Sequence, residues 1–263
     1  MTRTRLAGPI IALAVTGALL AGCAGTTSSG RIPAPSARIG AQADGALPTD
    51  LATMPLTEAN GTTTTLAAFR GKAVMIADFM TLCTDICPLI SANTAATARA
   101  LAAQGAQSQT ALLEITLDPH RDTLHRLRAY QKLYGAEPSN WILLRASPPD
   151  THRLWHYFGV YDRRVKEGTP ADTDWLTGKP LTYDIVHSDD LIYLDREGRE
   201  RYVIDGSPDT QGLAPPRRLA RFLGSQGQAA LMHPNPSLDW TVPDALRVFS
   251  WLLDRRIVAS GAP

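Results

Sequence analysis

Nearly continuous apolar runs mark three strands in the middle of the chain. They cover Ala73–Met80, Ala111–Leu117 and Trp141–Leu144. Such runs are typical of strands that a sheet buries on both faces. Two pairs of shorter strand-like runs predict two hairpins. One covers residues 54–66 and contains an Asn-Gly turn, and the other covers residues 191–204.

Apolar residues with helical spacing occupy the gaps between these strands. Each predicted helix has a local signal, such as a capping residue, a proline in the first turn or a glycine after the last turn. The helices are predicted at about residues 88–104, 122–135, 149–158, 216–223 and 242–253. Residues 162–182 are polar and contain glycine and proline, so they are predicted to form a long loop.

The alternation of strands and helices, closed by a hairpin, predicts an α/β fold. The order of the elements fits a thioredoxin-like domain with a mixed central sheet flanked by helices. An extra N-terminal hairpin and a C-terminal insertion are predicted to decorate it. We place the domain at residues 49–263 and the insertion at about residues 206–241, where proline and glycine recur.

Residues 1–22 have the pattern of a lipoprotein signal peptide. Arg3 and Arg5 precede an apolar stretch that is too short to span a membrane. The stretch ends in Leu-Ala-Gly-Cys, which resembles a bacterial lipobox, so Cys23 is predicted to be lipidated and to become the mature N-terminus. The alternative is an ordinary signal peptide that merely contains a cysteine.

Residues 23–48 are rich in small residues and proline and are predicted to form a flexible tether. This arrangement places the domain at the extracytoplasmic face of a bacterial membrane, anchored by lipid, where a disulfide can persist. The composition, with 44% hydrophobic and 19% charged residues, fits a globular domain. The net charge of the whole chain is +1, so no basic surface favours a nucleic-acid partner.

Apart from Cys23, the only cysteines are Cys83 and Cys87, where the strand 73–80 leads into the first long helix. The unpaired N–H groups and the dipole at a helix start favour anions, so the pKa of both thiols is predicted to be lowered. Thiolates select Cu(I), and imidazole suits it as a third ligand. The alternative is a structural disulfide, which would close only a small loop and contribute little entropy.

Three segments of the chain resemble the Sco/SenC family of extracytoplasmic, thioredoxin-like copper proteins. Phe79–Pro88 resembles the family's Thr-x-Cys-Pro-Asp-x-Cys-Pro signature, and Leu117–Thr123 resembles its Asp-Pro-x-Arg-Asp-Thr segment. Tyr183–Ser188 resembles its histidine segment. The resemblance covers about residues 50–205 and the last helix.

The resemblance implies a set of copper ligands, namely Cys83, Cys87 and His187, for Cu(I), with Cu(II) left open. It also implies that Asp118 lies close to the metal. The implied function is a metallochaperone that delivers copper to the CuA site of cytochrome c oxidase subunit II or to another extracytoplasmic cuproprotein. The alternative is a thiol–disulfide oxidoreductase, which needs both cysteines but not the histidine. A copper sensor or buffer without delivery is a third hypothesis for the function.

The chain departs from the family pattern at two positions. Thr84 stands where proline is usual, and Val186 stands where an aspartate usually precedes the histidine. Loss of that aspartate is expected to alter how His187 is oriented, because acceptors behind a ligand fix the imidazole. Asp78 interrupts the apolar strand before Cys83, and we consider two hypotheses for it. It assists thiol redox chemistry, or it faces outward or meets a polar partner.

Overall fold

In the computed structural model, which describes residues 31–135 and 138–258, ten strands form two sheets. The strands are β1 (Ala41–Ala46), β2 (Leu56–Glu58), β3 (Thr63–Thr64), β4 (Ala73–Phe79), β5 (Thr110–Thr116), β6 (Trp141–Arg145), β7 (Asp162–Lys166), β8 (Tyr183–His187), β9 (Asp190–Leu194) and β10 (Arg199–Asp205).

The large sheet has the order β1-β10-β9-β4-β5-β6-β2-β3. Its central strands β4, β5 and β6 are parallel, and the strands outside them pair in antiparallel fashion. The predicted mixed central sheet and both predicted hairpins are therefore confirmed. Strands β7 and β8 form the second sheet.

Seven α-helices are present in the described residues. They are α1 (Thr49–Ala52), α2 (Cys87–Ala103), α3 (Leu124–Leu133), α4 (Pro148–Phe158), α5 (Arg217–Ala220), α6 (Ser225–Met232) and α7 (Val242–Leu253). Thr123, Ser147 and Thr241 accept hydrogen bonds from the first turns of α3, α4 and α7. Gly135 and Gly159 have φ values of 94° and 77° just after α3 and α4, which suits glycine at a helix end.

Strand β4 is buried on both faces because helices cover both faces of the large sheet. Its odd-numbered residues, such as Met75 and Phe79, pack in a core with residues of α2, α3 and α7. Its even-numbered residues, such as Val74 and Ile76, pack with α1, α4 and β8. Successive side chains of a strand point to opposite faces, so Asp78 points toward the face that β8 covers.

The prediction of a flexible tether up to residue 48 is wrong for its C-terminal part. Strand β1 pairs with β10, Ile39 is buried, and the hydroxyl of Tyr202 donates a hydrogen bond to the carbonyl of Ser36 at 2.8 Å. A Cβ atom on Gly40 would lie 2.2 Å from a backbone carbonyl oxygen of β10, so glycine permits this close approach. Backbone pairing orders a segment that has almost no apolar pattern.

The predicted long loop over residues 162–182 is wrong at its start, where β7 pairs with β8. The strand is polar because most of its side chains are exposed, so it lacks an apolar run. In the predicted insertion, the helical patch near residue 216 corresponds to the short helix α5, whereas α6 is not predicted from the sequence.

Among the described residues, none of the helices combines the length and the apolar character that crossing a membrane requires. The predicted signal peptide and Cys23 lie outside the described residues.

Candidate metal centre

The two cysteines lie where the chain passes from β4 to α2, at the carboxyl end of the parallel strands. In open α/β sheets, this end is where ligands bind. Helix α2 begins at Cys87, with Pro88 in its first turn. The backbone N–H of Cys87 donates a hydrogen bond to Sγ of Cys83 at 3.5 Å, and both side chains are free thiols.

His187 approaches the thiols from β8. Along this strand, Tyr183 and Ile185 face the core, and the alternation places His187 on the same side. The Nε2 atom of His187 lies 3.5 Å from Sγ of Cys87. The two sulfur atoms and a ring nitrogen of His187 lie within 4.8 Å of one another. Two thiolates and an imidazole in this arrangement are a ligand set that suits copper.

Asp78 lies behind the imidazole and is completely buried. Its Oδ2 atom is 2.7 Å from Nδ1 of His187, and its Oδ1 atom accepts a hydrogen bond from the backbone N–H of Asp190 at 2.8 Å. The N–H group at Nδ1 points at the carbonyl oxygen of Ser188, which also lies 2.7 Å from Nδ1, and not at Asp78. The carboxylate of Asp78 therefore acts on the ring through its negative charge. These partners occupy Nδ1 and leave Nε2 to face the sulfur atoms.

The departure at Val186 does not disturb the orientation of the histidine. The side chain of Val186 is 45% exposed and lies on the outer side of β8, so an aspartate there would point away from His187. The expected loss of orientation is wrong, because Asp78 and Ser188 hold the ring. Of the two hypotheses for Asp78, the polar partner is observed, and a role in thiol redox chemistry stays a prediction.

The two thiols differ in pKa. Hydrogen bonding with Cys87 lowers the pKa of Cys83 well below its usual value, against the effect of burial, and His187 lowers it further. Burial raises the pKa of Cys87 well above its usual value, and the neighbouring Cys83 raises it further. The prediction of two lowered pKa values is therefore confirmed for Cys83 and wrong for Cys87, which lies entirely inside the protein.

Acidic groups around the thiols change the protonation of the site. Burial lowers the pKa of His187, but the carboxylate of Asp78 and the sulfur of Cys83 outweigh it and raise this pKa well above the usual value. Burial raises the pKa of Asp189 to about 7 and that of Asp85 to about 6. In the metal-free protein, the lowered pKa of Cys83 and the raised pKa of His187 therefore favour a thiolate beside an imidazolium.

Two aspartates of segment 117–123 connect the other two segments. Asp122 is buried, and its carboxylate accepts two hydrogen bonds from Thr81. One comes from the hydroxyl of Thr81, and the other comes from its backbone N–H at 3.2 Å. The indole N–H of Trp175 donates a hydrogen bond to the carbonyl of Thr81 at 2.6 Å. These contacts fix the chain just before Cys83.

Asp118 supports the strand that carries the histidine. Its carboxylate accepts a hydrogen bond from the hydroxyl of Tyr183 at 3.0 Å and forms an ion pair with Arg121. Arg121 also donates a hydrogen bond to the carbonyl of Tyr183 at 2.6 Å, and its guanidinium lies 3.7 Å from the centre of the Tyr183 ring. Asp118 thus anchors β8 close to His187, and its effect on a bound metal stays a prediction.

A cavity of about 100 Å³ opens beside the candidate ligands. Its lining comes from three parts of the chain, and the residues are Cys83, Thr84, Asp85, Ile86, Asp184, Ile185, Val186, His187, Asp189 and Gln226. Gln226 belongs to α6, so the segment over residues 206–241, predicted to be an insertion, borders the site.

We expect iodoacetamide to modify Cys83 before Cys87 in the reduced, metal-free protein at pH 7. Cys83 is partly exposed and has the lowered pKa, whereas Cys87 is buried and protonated, and the thiolate is the reactive form. The rates should differ by about tenfold or more, since a pKa difference of about 1 changes the thiolate population to that extent. Timed quenching and peptide mass spectrometry measure both rates, and equal rates would contradict the pKa assignment.

The substitution Asp78→Asn is expected to lower the pKa of His187, because it removes an opposite charge next to the ring. An NMR titration of the His187 ring measures this pKa. Asp50→Asn, at an exposed position of α1, is the matched control. An unchanged His187 pKa in Asp78→Asn would show that the carboxylate has no electrostatic hold on the ring.

Comparisons with known proteins place this site in a family. The chain matches the family model described as SCO1/SenC over residues 51–216, and a comparison with curated proteins gives no match. A SCO1/SenC family lipoprotein from Bacillus anthracis aligns with a TM-score of 0.50 at 21% identity, covering 66% of this chain and 95% of that protein. This likeness supports the thioredoxin-like fold.

Two copper-bound structures show similar but weaker alignments. ScoI from Arabidopsis thaliana aligns with a TM-score of 0.49 at 21% identity, covering 65% of this chain and 90% of that one. ScoI from Bradyrhizobium japonicum aligns with a TM-score of 0.47 at 22% identity, covering 70% and 99%. The family match spans more than half of the chain and includes Cys83, Cys87 and His187, so this protein belongs to the SCO1/SenC family.

Proposed function

We propose that this protein is a membrane-anchored copper chaperone that binds Cu(I) through Cys83, Cys87 and His187. The observation that carries the proposal is the convergence of two sulfur atoms and a ring nitrogen within 4.8 Å. Soft thiolates with an imidazole favour copper over hard cations such as magnesium or calcium. The copper bound to the relatives from Arabidopsis and Bradyrhizobium supports the same metal.

Capture of Cu(I) by this site requires the loss of protons. The thiol of Cys87 has a raised pKa, and so does the imidazole of His187, so both hold protons at neutral pH. Metal ligands must be deprotonated, and copper binding therefore strengthens as the pH rises. Three protein ligands leave one side of the ion open toward the cavity, where ligands of an acceptor can exchange with those of the chaperone.

The acceptor in this proposal is the CuA site of cytochrome c oxidase subunit II or another extracytoplasmic cuproprotein. BsSco, a relative of similar fold, belongs to the Sco family of cytochrome c oxidase assembly proteins. The membrane anchor in this proposal is a lipid on Cys23. The lipobox-like sequence supports it, and so does the lipoprotein nature of the Bacillus anthracis relative.

The asymmetry of the thiols supports a second candidate function, a thiol–disulfide oxidoreductase. The Cys83 thiolate would attack a partner disulfide, form a mixed disulfide and release one partner thiolate. Cys87 would then lose its proton and attack the sulfur of Cys83. This step releases the second partner thiolate and leaves Cys83 and Cys87 joined. The partner gains two electrons, and this protein loses two.

Metal analysis of the reduced protein, purified without oxygen, tests the copper proposal. We expect equimolar copper in the wild type and none in a variant with both Cys83→Ser and Cys87→Ser. His187→Ala should weaken Cu(I) binding by about tenfold or more in competition with a Cu(I) chelator, since even groups behind a ligand contribute that much. His152→Ala, at an exposed position of α4, is the matched control.

The two candidate functions differ in what His187→Ala does to an acceptor. Under the chaperone proposal, the acceptor's copper site fails to mature in cells that carry this variant. A normal acceptor, together with no copper on the purified variant, would reject the chaperone and favour the oxidoreductase.

The anchor is tested with Cys23→Ser in the full chain. We expect the wild type in the membrane fraction after cell breakage and the variant outside it, since the thiol is the site of lipid attachment. Mass spectrometry of the mature N-terminus measures the attached lipid. An unmodified cysteine in the wild type would reject the lipid anchor and leave the ordinary signal peptide as the explanation.

A further inference from the structure

Helix α6 covers the short loop between the two cysteines, residues Thr84–Ile86, which we call the inter-cysteine loop. The backbone N–H of Gly224, at the start of α6, donates a hydrogen bond to the carbonyl of Thr84 at 2.8 Å. Gln226, in the first turn of α6, borders the cavity beside the candidate ligands. The helix lies beyond residue 216, where the match to the family model ends.

Gly227 makes this contact possible. It is buried within an eight-residue helix, although alanine is the better helix former. A Cβ atom at this position would lie 2.6 Å from the carbonyl oxygen of Asp85 and 2.8 Å from that of Thr84. Both are backbone atoms and cannot rotate away, so α6 or the loop would have to move. The glycine is therefore explained by packing against the loop.

The inter-cysteine loop is also held from a second direction. The hydroxyl of Thr84 donates a hydrogen bond to the carboxylate of Asp172 at 2.7 Å. Thr84 stands where the family usually has proline, which could not make this contact. The loop is thus fixed by α6 through its backbone and by the segment before β8 through its side chain.

We infer that α6 is a positioning element of the metal site, and this inference rests on the copper-binding function proposed above. The inter-cysteine loop is the short covalent link between the two thiols, so its conformation sets the separation of their sulfur atoms. By holding the loop, α6 keeps Cys83 and Cys87 aimed at the same ion. A site that is preorganised in this way binds its metal more tightly and releases it more slowly.

The substitution Gly227→Ala in the full chain tests this inference. The protein is loaded with Cu(I) without oxygen, and bathocuproine disulfonate is added in excess to remove the metal. We expect the variant to release copper about tenfold faster than the wild type, because the loss of one hydrogen bond has an effect of about this size. The thermal unfolding of the metal-free protein is measured in parallel, and a modest fall in the unfolding temperature is expected because the added Cβ atom forces α6 or the loop to move.

Two further variants at the start of α6 are compared with Gly227→Ala. Ser225→Ala changes an exposed residue and should release copper at the wild-type rate. Gly224→Ala should have an intermediate effect, because its Cβ atom would meet the carboxylate of Asp85 at 3.0 Å, and this side chain can move. If Gly227→Ala does not fold, Gly224→Ala decides the question with an expected acceleration of severalfold.

Equal release rates in both glycine variants and the wild type would overturn the inference and leave the proposed function intact. A wild-type protein that takes up no copper would instead reject the proposed function. Faster release in the glycine variants, with Ser225→Ala at the wild-type rate, supports the positioning role. A lower unfolding temperature with an unchanged release rate would instead show that α6 contributes only to stability and would overturn the inference.

Discussion

The candidate site depends on a buried charge in the central strand. Asp78 has no contact with water, and a buried carboxylate is costly unless the protein supplies partners. The partners come from His187 and from the backbone of Asp190, which lie at the end of β8 and the start of β9. This single carboxylate therefore ties the central strand to the part of the chain that carries the histidine. Together with the carbonyl of Ser188, it determines which ring nitrogen faces the thiols.

Two more buried carboxylates extend the same principle. Asp122 binds the chain before Cys83, and Asp118 binds Tyr183 in the histidine strand. Segment 117–123 supplies no candidate ligand, but it joins the two segments that do. The three sequence motifs thus meet through hydrogen bonds to carboxylates, while the apolar cores on both faces of the sheet hold the strands that carry them.

The two sulfur atoms of the site differ in exposure and in protonation, and this difference has chemical consequences. Cys83 borders the cavity and is stabilised as a thiolate, whereas Cys87 is buried at the start of α2 and keeps its proton. An accessible thiolate is suited to a first contact with copper or with a partner disulfide, and the buried thiol completes either reaction. Helix α6 adds a cover over the loop between them, built from a part of the chain beyond the family match.

Local sequence patterns determined much of this protein. The apolar run of β4, the Asn-Gly turn, the cap at Thr123 and the proline after Cys87 each act through neighbours in the chain, so the sequence predicts these elements and the place of the thiols. Strands β1 and β7 and helix α6 have no such pattern, because backbone pairing and a glycine contact order them. The meeting of Asp78 with His187 was likewise decided only by the tertiary structure. It depends on the position of β8 over the sheet, and a contact between distant segments leaves no periodic trace in either of them.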